Sequence, residues 1–103
     1  MSNDIIDKVL RIMELALLIN PTSTVKGRTG NKPTIMIQFQ GHVAGFDVLI
    51  YSDGWAEDAD AQYKYMIYFD KPKEKVKRTL DAILEHLENI YRIVQEVEEN
   101  DTV

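Results

Sequence analysis

The strongest constraint in this sequence is a regular apolar pattern in its C-terminal third. The separations between apolar residues alternate as four, three, four, three, which is the heptad repeat of a single helix face. We call this set the C-terminal seam; it consists of Val76, Leu80, Ile83, Leu87, Ile90, Val94 and Val97. The pattern predicts a helix from Pro72 to about Glu98, roughly 36–40 Å long.

The predicted helix is too long for any sheet that the chain can build. A strand of seven or eight residues spans only about 25 Å. The distal turns of the helix therefore need another cover, because they would otherwise expose apolar side chains to water. We expect a second copy of the chain to provide that cover, with contact residues Leu87, Ile90, Tyr91, Val94 and Val97.

Residues 4–19 are predicted to form an amphipathic helix. One face carries Ile5, Val9, Ile12, Met13, Ala16 and Ile19 at helical spacing. Further apolar residues widen this face: Ile6, Leu10, Leu15, Leu17 and Leu18. A helix with such a broad apolar face has to be covered on more than one side.

Charged residues interrupt this first apolar segment at Asp7, Lys8, Arg11 and Glu14. The hydrophobic region of a secretory signal peptide is uninterrupted. A membrane span needs roughly 20 mostly apolar residues. We therefore expect a cytoplasmic protein that has no membrane partner.

Three strand-like segments separate the two helices. Thr34–Gln40, about Val43–Tyr51 and about Gln62–Phe69 alternate apolar and polar residues. The short connection through Gly41 and His42 and the acidic loop 52–61 favour an antiparallel meander. The predicted fold class is α+β in the order α-β-β-β-α, with a three-stranded antiparallel meander, two helices packed with it and a long C-terminal helix. One domain spans residues 1–103, and its acidic tail 98–103 is expected to be disordered.

No pattern in the sequence indicates catalysis or a bound cofactor. The chain has no cysteine, which excludes disulfides and thiolate chemistry, and its three serines lie outside nucleophile-elbow contexts. Asp58 and Asp60 lack the further oxygen ligands of a calcium loop. His42 and His86 do not have the spacing of a metal site. We predict a protein that is not an enzyme and holds no cofactor and no metal.

The second face of the predicted sheet is rich in methionine and tyrosine. Half-solvated antiparallel sheets normally carry polar residues on the outer face, whereas aromatic residues and methionine are enriched at protein interfaces. The predicted partner-binding residues on this face are Met36, Leu49, Tyr51, Met66 and Tyr68. In the alternative arrangement, each helix covers one face of the sheet.

The charges of the C-terminal helix oppose its dipole. Glu96, Glu98, Glu99 and Asp101 lie near its C-terminal end, and each misplaced exposed charge costs about 0.3–1 kcal/mol. Its N-terminal end carries a basic patch consisting of Lys71, Lys73, Lys75, Lys77 and Arg78. An antiparallel pair of copies would neutralise both ends. Alternatively, the basic patch binds the acidic surface of a partner protein, or it binds nucleic acid together with the loop Lys26–Lys32, or both charge runs are solvated.

The order helix, three strands, helix is similar to that of a double-stranded-RNA-binding domain. Gly41 and His42 lie between the first two strands, and lysines lie at the start of the second helix. The resemblance implies that a duplex is contacted by His42, Lys71, Lys73, Lys75 and Lys77. This chain departs from the family in four respects: residues 76–80 replace an alanine-rich helix start, the glycines of the third strand are absent, the second helix is longer, and the net charge is -5.

Small size, an acidic balance and surplus apolar surface favour a protein that works by protein–protein contact. We expect a small cytoplasmic homodimer of the adaptor, regulator or phage and mobile-element inhibitor type. One alternative is a nucleic-acid-binding module that uses the basic patch, with salt-dependent affinity. The other is an acidic mimic that blocks a basic groove of a host protein with the loop Glu57–Asp60 and the acidic tail.

Overall fold

The computed structural model describes the backbone of residues 1–101 and the side chains of residues 1–97. The elements are α1 (Asn3–Ile19), β1 (Thr34–Gln40), a short 3-10 helix (Gly41–Val43), β2 (Gly45–Tyr51), β3 (Tyr63–Tyr68) and α2 (Lys73–Asp101). The α+β fold in the order α-β-β-β-α is therefore confirmed. The tail 98–103 was expected to be disordered, but the backbone of residues 98–101 continues α2; residues 102–103 lie outside the described part.

The three strands form one antiparallel sheet in the order β1-β2-β3. Ile37 lies opposite Val48, which in turn lies opposite Tyr65. The connection between β1 and β2 is longer than the predicted two-residue turn, because a 3-10 helix follows β1 and Ala44 then adopts a left-handed φ of 53°. As a result, β2 begins at Gly45 and not at Val43.

Both helices cover the same face of the sheet. The buried residues of the sheet, α1 and α2 form a single apolar cluster. The sheet contributes Ile35, Phe46, Val48, Ile50 and Ile67; α1 contributes Ile5, Ile12, Leu15, Ala16 and Ile19; α2 contributes Val76, Leu80, Ile83 and Leu87. The alternative with one helix on each face is therefore wrong.

The two helices lie side by side and run parallel. Three ion pairs advance together along both helices: Asp4–Lys77, Lys8–Asp81 and Arg11–Glu88. Exposed pairs of this kind contribute about 0–1 kcal/mol each. The shared apolar core therefore supplies most of the stability of the helix pair, and the ion pairs help to fix its register.

Helix α2 is much longer than the strands beneath it. Its 29 residues correspond to about 43 Å, whereas a strand of six or seven residues spans about 20–24 Å. Its C-terminal part therefore extends beyond the sheet, as the heptad pattern predicts. No helix within the described residues 1–101 is both long and apolar enough to cross a bilayer.

Candidate functional site

Helix α1 carries a second apolar stripe that does not belong to the core. This α1 stripe consists of Ile6, Leu10, Met13 and Leu17, whose separations of four, three and four place them on one side of a helix. Leu10 is 60% exposed and Leu17 is 75% exposed. The sequence predicts that α1 needs cover on more than one side, and within the described residues only the core side is covered.

An open groove separates the α1 stripe from the edge strand β1. Its volume is about 360 Å³, and its lining is Met1, Ile6, Val9, Leu10, Met13, Ile37, Phe39, Phe46 and Phe69. We call it the α1–β1 groove. A groove lined in this way accepts apolar side chains and offers its ligand almost no polar contact from side chains.

Phe39 stands at the open rim of the α1–β1 groove. It lies on the face of the sheet that the helices cover, as its alternation predicts, yet it remains 65% exposed. Its ring centroid is 6.4 Å from that of Phe69, which in turn packs 6.0 Å from Phe46 in the core. The aromatic cluster therefore runs from the core out to solvent at the β1 edge.

The second face of the sheet has no helix on it within the described residues. Met36, Met66 and Tyr68 are exposed there, and Leu49 is half-buried. The cross-strand register interleaves these residues with the polar side chains of Gln38, Asp47 and Lys64. We call this surface the open face.

Tyr51 does not belong to the accessible part of the open face, because it is only 8% exposed. Its cross-strand neighbour Thr34 hydrogen-bonds to Thr29, with 2.8 Å between the two hydroxyl oxygens. The loop that precedes β1 thus closes over this end of the face. The prediction of Tyr51 as a partner-binding residue is corrected accordingly, since strand alternation identifies the face but not the loop above it.

The C-terminal seam is partly used by the protein's own core. Leu87 is fully buried, and Ile90 and Tyr91 pack against the core. The parallel helix α1 provides this extra cover, which the comparison of helix and strand lengths does not take into account. Leu87 is therefore not available to a second copy, and the exposed apolar residues that remain on distal α2 are Ile93 and Val97.

The basic patch at the start of α2 contains acidic neighbours. Lys71, Lys73 and Lys75 are exposed, whereas the Lys77 ammonium donates a hydrogen bond of 3.2 Å to Asp4 and thereby lowers the pKa of that carboxyl group. The cleft between the two helix starts is lined by both signs of charge: Asp4, Asp7, Lys8, Glu74, Lys77, Arg78 and Asp81. The patch is therefore less positive than its sequence implies.

The second basic segment, Lys26–Lys32, lies far from the basic patch. It precedes the first residue of β1, whereas α2 starts after the last residue of β3. The start of β1 and the end of β3 are at opposite ends of the antiparallel sheet. The structure therefore does not bring the two basic segments together on one surface.

His86 on α2 contacts two tyrosines of β3. Its Nδ1 and the Tyr65 hydroxyl oxygen share a hydrogen bond of 2.9 Å, and its ring packs edge-on against Tyr63 with centroids 4.4 Å apart. Burial lowers the pKa of His86 and raises that of Tyr65. These shifts favour the neutral form of both groups, which suits a packed polar contact between helix and sheet.

The acidic loop 52–61 presents Glu57, Asp58 and Asp60 to solvent. Among the described residues, no three His, Asp or Glu side chains are grouped closely enough to hold a metal ion. The α1–β1 groove and the open face are therefore the candidate binding surfaces, because both expose apolar side chains.

No protein-family model, no curated protein and no solved structure matches this chain.

Proposed function

We propose that this protein is not an enzyme and that it acts by protein–protein contact as a homodimer. The observation that carries the proposal is the α1 stripe beside the α1–β1 groove. Four aligned apolar side chains next to an apolar groove expose more contiguous apolar surface than isolated surface residues do. Such a surface is stable in water when a second apolar surface covers it.

A second copy of the chain is a suitable cover. Homodimers with twofold symmetry are the commonest oligomers, and their contact surface has to be complementary to itself. The α1 stripe contains no charged residue, so two stripes meet without like charges between them. We therefore propose that α1 forms the homodimer contact. The sequence places this contact on distal α2, where Leu87 is buried.

The open face is the proposed surface for a further protein partner. Its exposed residues Met36, Met66 and Tyr68, with the half-buried Leu49, are of types that occur at protein interfaces. It lies on the opposite side of the sheet from α1, so dimer formation leaves it accessible. The cytoplasmic location expected from the sequence is part of the same proposal.

The test is the mass of the protein in solution, measured by light scattering during size-exclusion chromatography. We expect the wild type to have twice the chain mass of 11.9 kDa. Leu10→Asp places a charge in the α1 stripe and should give a folded protein with the mass of one chain. Ile93→Asp, at a similarly exposed apolar position on α2, is the matched control and should remain dimeric.

Two results would contradict the proposal. One is a wild-type mass of one chain at high micromolar concentration. The other is a dimer that Ile93→Asp dissociates and Leu10→Asp leaves intact, which would return the contact to distal α2. Circular dichroism of each variant shows whether the fold is kept.

A nucleic-acid-binding module is the second candidate. It is favoured by the three exposed lysines at the start of α2, two of which, Lys71 and Lys75, lie beside Met66 and Tyr68. A titration with duplex RNA at low and at high salt tests it, because phosphate contacts make affinity fall steeply with salt. Absence of binding at low salt would exclude this candidate.

A further inference from the structure

The outer edge of β1 has free backbone groups in its second half. The N–H of Ile35 donates to the side-chain oxygen of Asn20 at 2.6 Å, and the C=O of Ile35 accepts from the amide nitrogen of Asn20 at 2.9 Å. The backbone groups of Ile35 therefore point away from β2. Because alternate residues of a strand point the same way, Ile37 and Phe39 also direct their N–H and C=O groups outwards, and no described residue bonds to them.

This edge lacks the protection that edge strands usually have. Natural sheets block their edges with charged residues or with covering segments. Residues 34–40 contain no charge, and Asn20 covers only the first of the three outward positions. The opposite edge is different, since β3 carries Lys64 and its Tyr68 C=O accepts a hydrogen bond from the N–H of Lys71 at 3.1 Å.

We propose that β1 pairs antiparallel with β1 of a second copy, about a twofold axis at Gln38. This inference rests on the homodimer proposed above and specifies its geometry. In this register Ile37 lies opposite Phe39 of the other copy, and four hydrogen bonds satisfy all the free outward groups of both strands. An axis at Ile37 would instead place Ile35 opposite Phe39, where Asn20 already occupies the backbone of Ile35.

The same twofold axis accounts for the α1 stripe. The stripe and Phe39 line one groove beside the β1 edge, so pairing of the two edges brings the two grooves together. The α1 stripes of both copies then lie next to each other on the core side of the joined sheet. One contact thus covers the free strand edge and the exposed apolar side chains.

The pairing also doubles the open face. Two three-stranded sheets joined at β1 form one six-stranded sheet, whose uncovered side carries both copies of Met36, Leu49, Met66 and Tyr68. The structure thereby gives the homodimer a broader partner surface than one chain offers. Gln38 lies on this side, at the centre of the joined sheet.

A single-cysteine variant tests the register directly, because the natural chain has no cysteine. In the proposed dimer Gln38 faces its own copy as a non-hydrogen-bonded pair with Cα atoms about 4.5 Å apart, which is within the range for a disulfide. Gln38→Cys should therefore form a covalent dimer under mild oxidation. Met66→Cys on β3, which is also exposed on the open face, is the matched control.

At a protein concentration at which light scattering shows the wild type to be dimeric, Gln38→Cys should cross-link faster than Met66→Cys, by roughly a hundredfold if that concentration is about 10 µM, because pairing raises the effective thiol concentration to the millimolar range. Equal rates would overturn the twofold axis at Gln38. If the two cross-linking rates are equal while the wild type is dimeric and Leu10→Asp is monomeric, the homodimer is supported and only the pairing of the β1 strands is wrong. If the wild type is monomeric, both proposals fail.

Discussion

Gly54 lies at the closest approach between two loops of the protein. Its φ is +97°, and a Cβ atom at this position would be 1.9 Å from the backbone oxygen of Gly30. The same loops are joined by the N–H of Trp55, which donates to the Thr29 hydroxyl at 2.6 Å. Glycine is required at Gly54 for space as well as for its backbone conformation.

Gly54→Ala should therefore destabilise the protein far more than Gly27→Ala. Gly27 has a comparable φ of +72°, but a Cβ atom there meets nothing within 4 Å. Gly27→Ala is the control, and it should lower the free energy of unfolding by about 1–2 kcal/mol for the left-handed conformation alone. Gly54→Ala should lower it by about 3 kcal/mol or more, because backbone must move. Urea unfolding measures both values; equal losses would show that the loops do not approach each other as described.

His86 predicts a pH dependence of stability. Burial lowers its pKa in the folded protein below the ordinary value of about 6.5, so the unfolded chain binds more protons just below that pH. The contribution is complete above about pH 6.5 and is lost as the pH falls through the lower folded pKa. His86→Gln should reduce the decrease in unfolding free energy between about pH 7.5 and 5.5.

The control for this measurement is His42→Gln, which changes an exposed histidine on the 3-10 helix. It should keep the wild-type difference between the two pH values. If His86→Gln and His42→Gln have the same pH dependence, the burial of His86 against Tyr63 and Tyr65 does not make the stability depend on pH.

Among the elements, the helices and strands are close to what the sequence predicts. The heptad pattern predicts a helix from Pro72 to about Glu98, and the observed helix α2 is Lys73–Asp101. For β1, the alternation of apolar and polar residues predicts the bounds that are observed. Both signals are local and follow from backbone periodicity. The 3-10 helix before Ala44 was not predicted, because its closure depends on one left-handed residue that is not a glycine.

The candidate site was less predictable than the elements, because it depends on which elements cover which surfaces. The spacing of Ile6, Leu10, Met13 and Leu17 can be found in the sequence. It does not stand out, however, because the helix is apolar over most of its circumference. Leu87 was predicted to be exposed because the sheet alone cannot reach it, and the parallel arrangement of α1 and α2 buries it. Periodicity identifies a face, whereas tertiary packing decides its exposure.

Asn20 connects the end of α1 to the edge of β1, and its removal should weaken this connection. Asn20→Ala loses both hydrogen bonds to Ile35, each worth about 1 kcal/mol, so the unfolding free energy should fall by about 2 kcal/mol. Asn31→Ala, at an exposed loop position, is the control and should change it little. If Asn20→Ala is as stable as the wild type, the two hydrogen bonds between Asn20 and Ile35 do not stabilise the protein.

In the whole molecule, the two faces of the sheet are covered unequally. Both helices lie on one side of the sheet, which leaves an uncovered stripe on α1, a free edge on β1 and an open face behind them. A single twofold contact at β1 covers the first two and leaves the third for a partner. The net charge of -5 does not oppose this contact locally, because β1 and the α1 stripe are uncharged.

Amide hydrogen exchange at β1 measures directly whether this strand edge is paired with a second copy. In a single chain the N–H groups of Ile37 and Phe39 face solvent, whereas that of Ile35 is bonded to Asn20. We predict that Ile37 and Phe39 exchange slowly at concentrations where the dimer forms and quickly on dilution, while Ile35 stays protected throughout. Fast exchange of Ile37 and Phe39 at every concentration would show that β1 does not pair with a second copy.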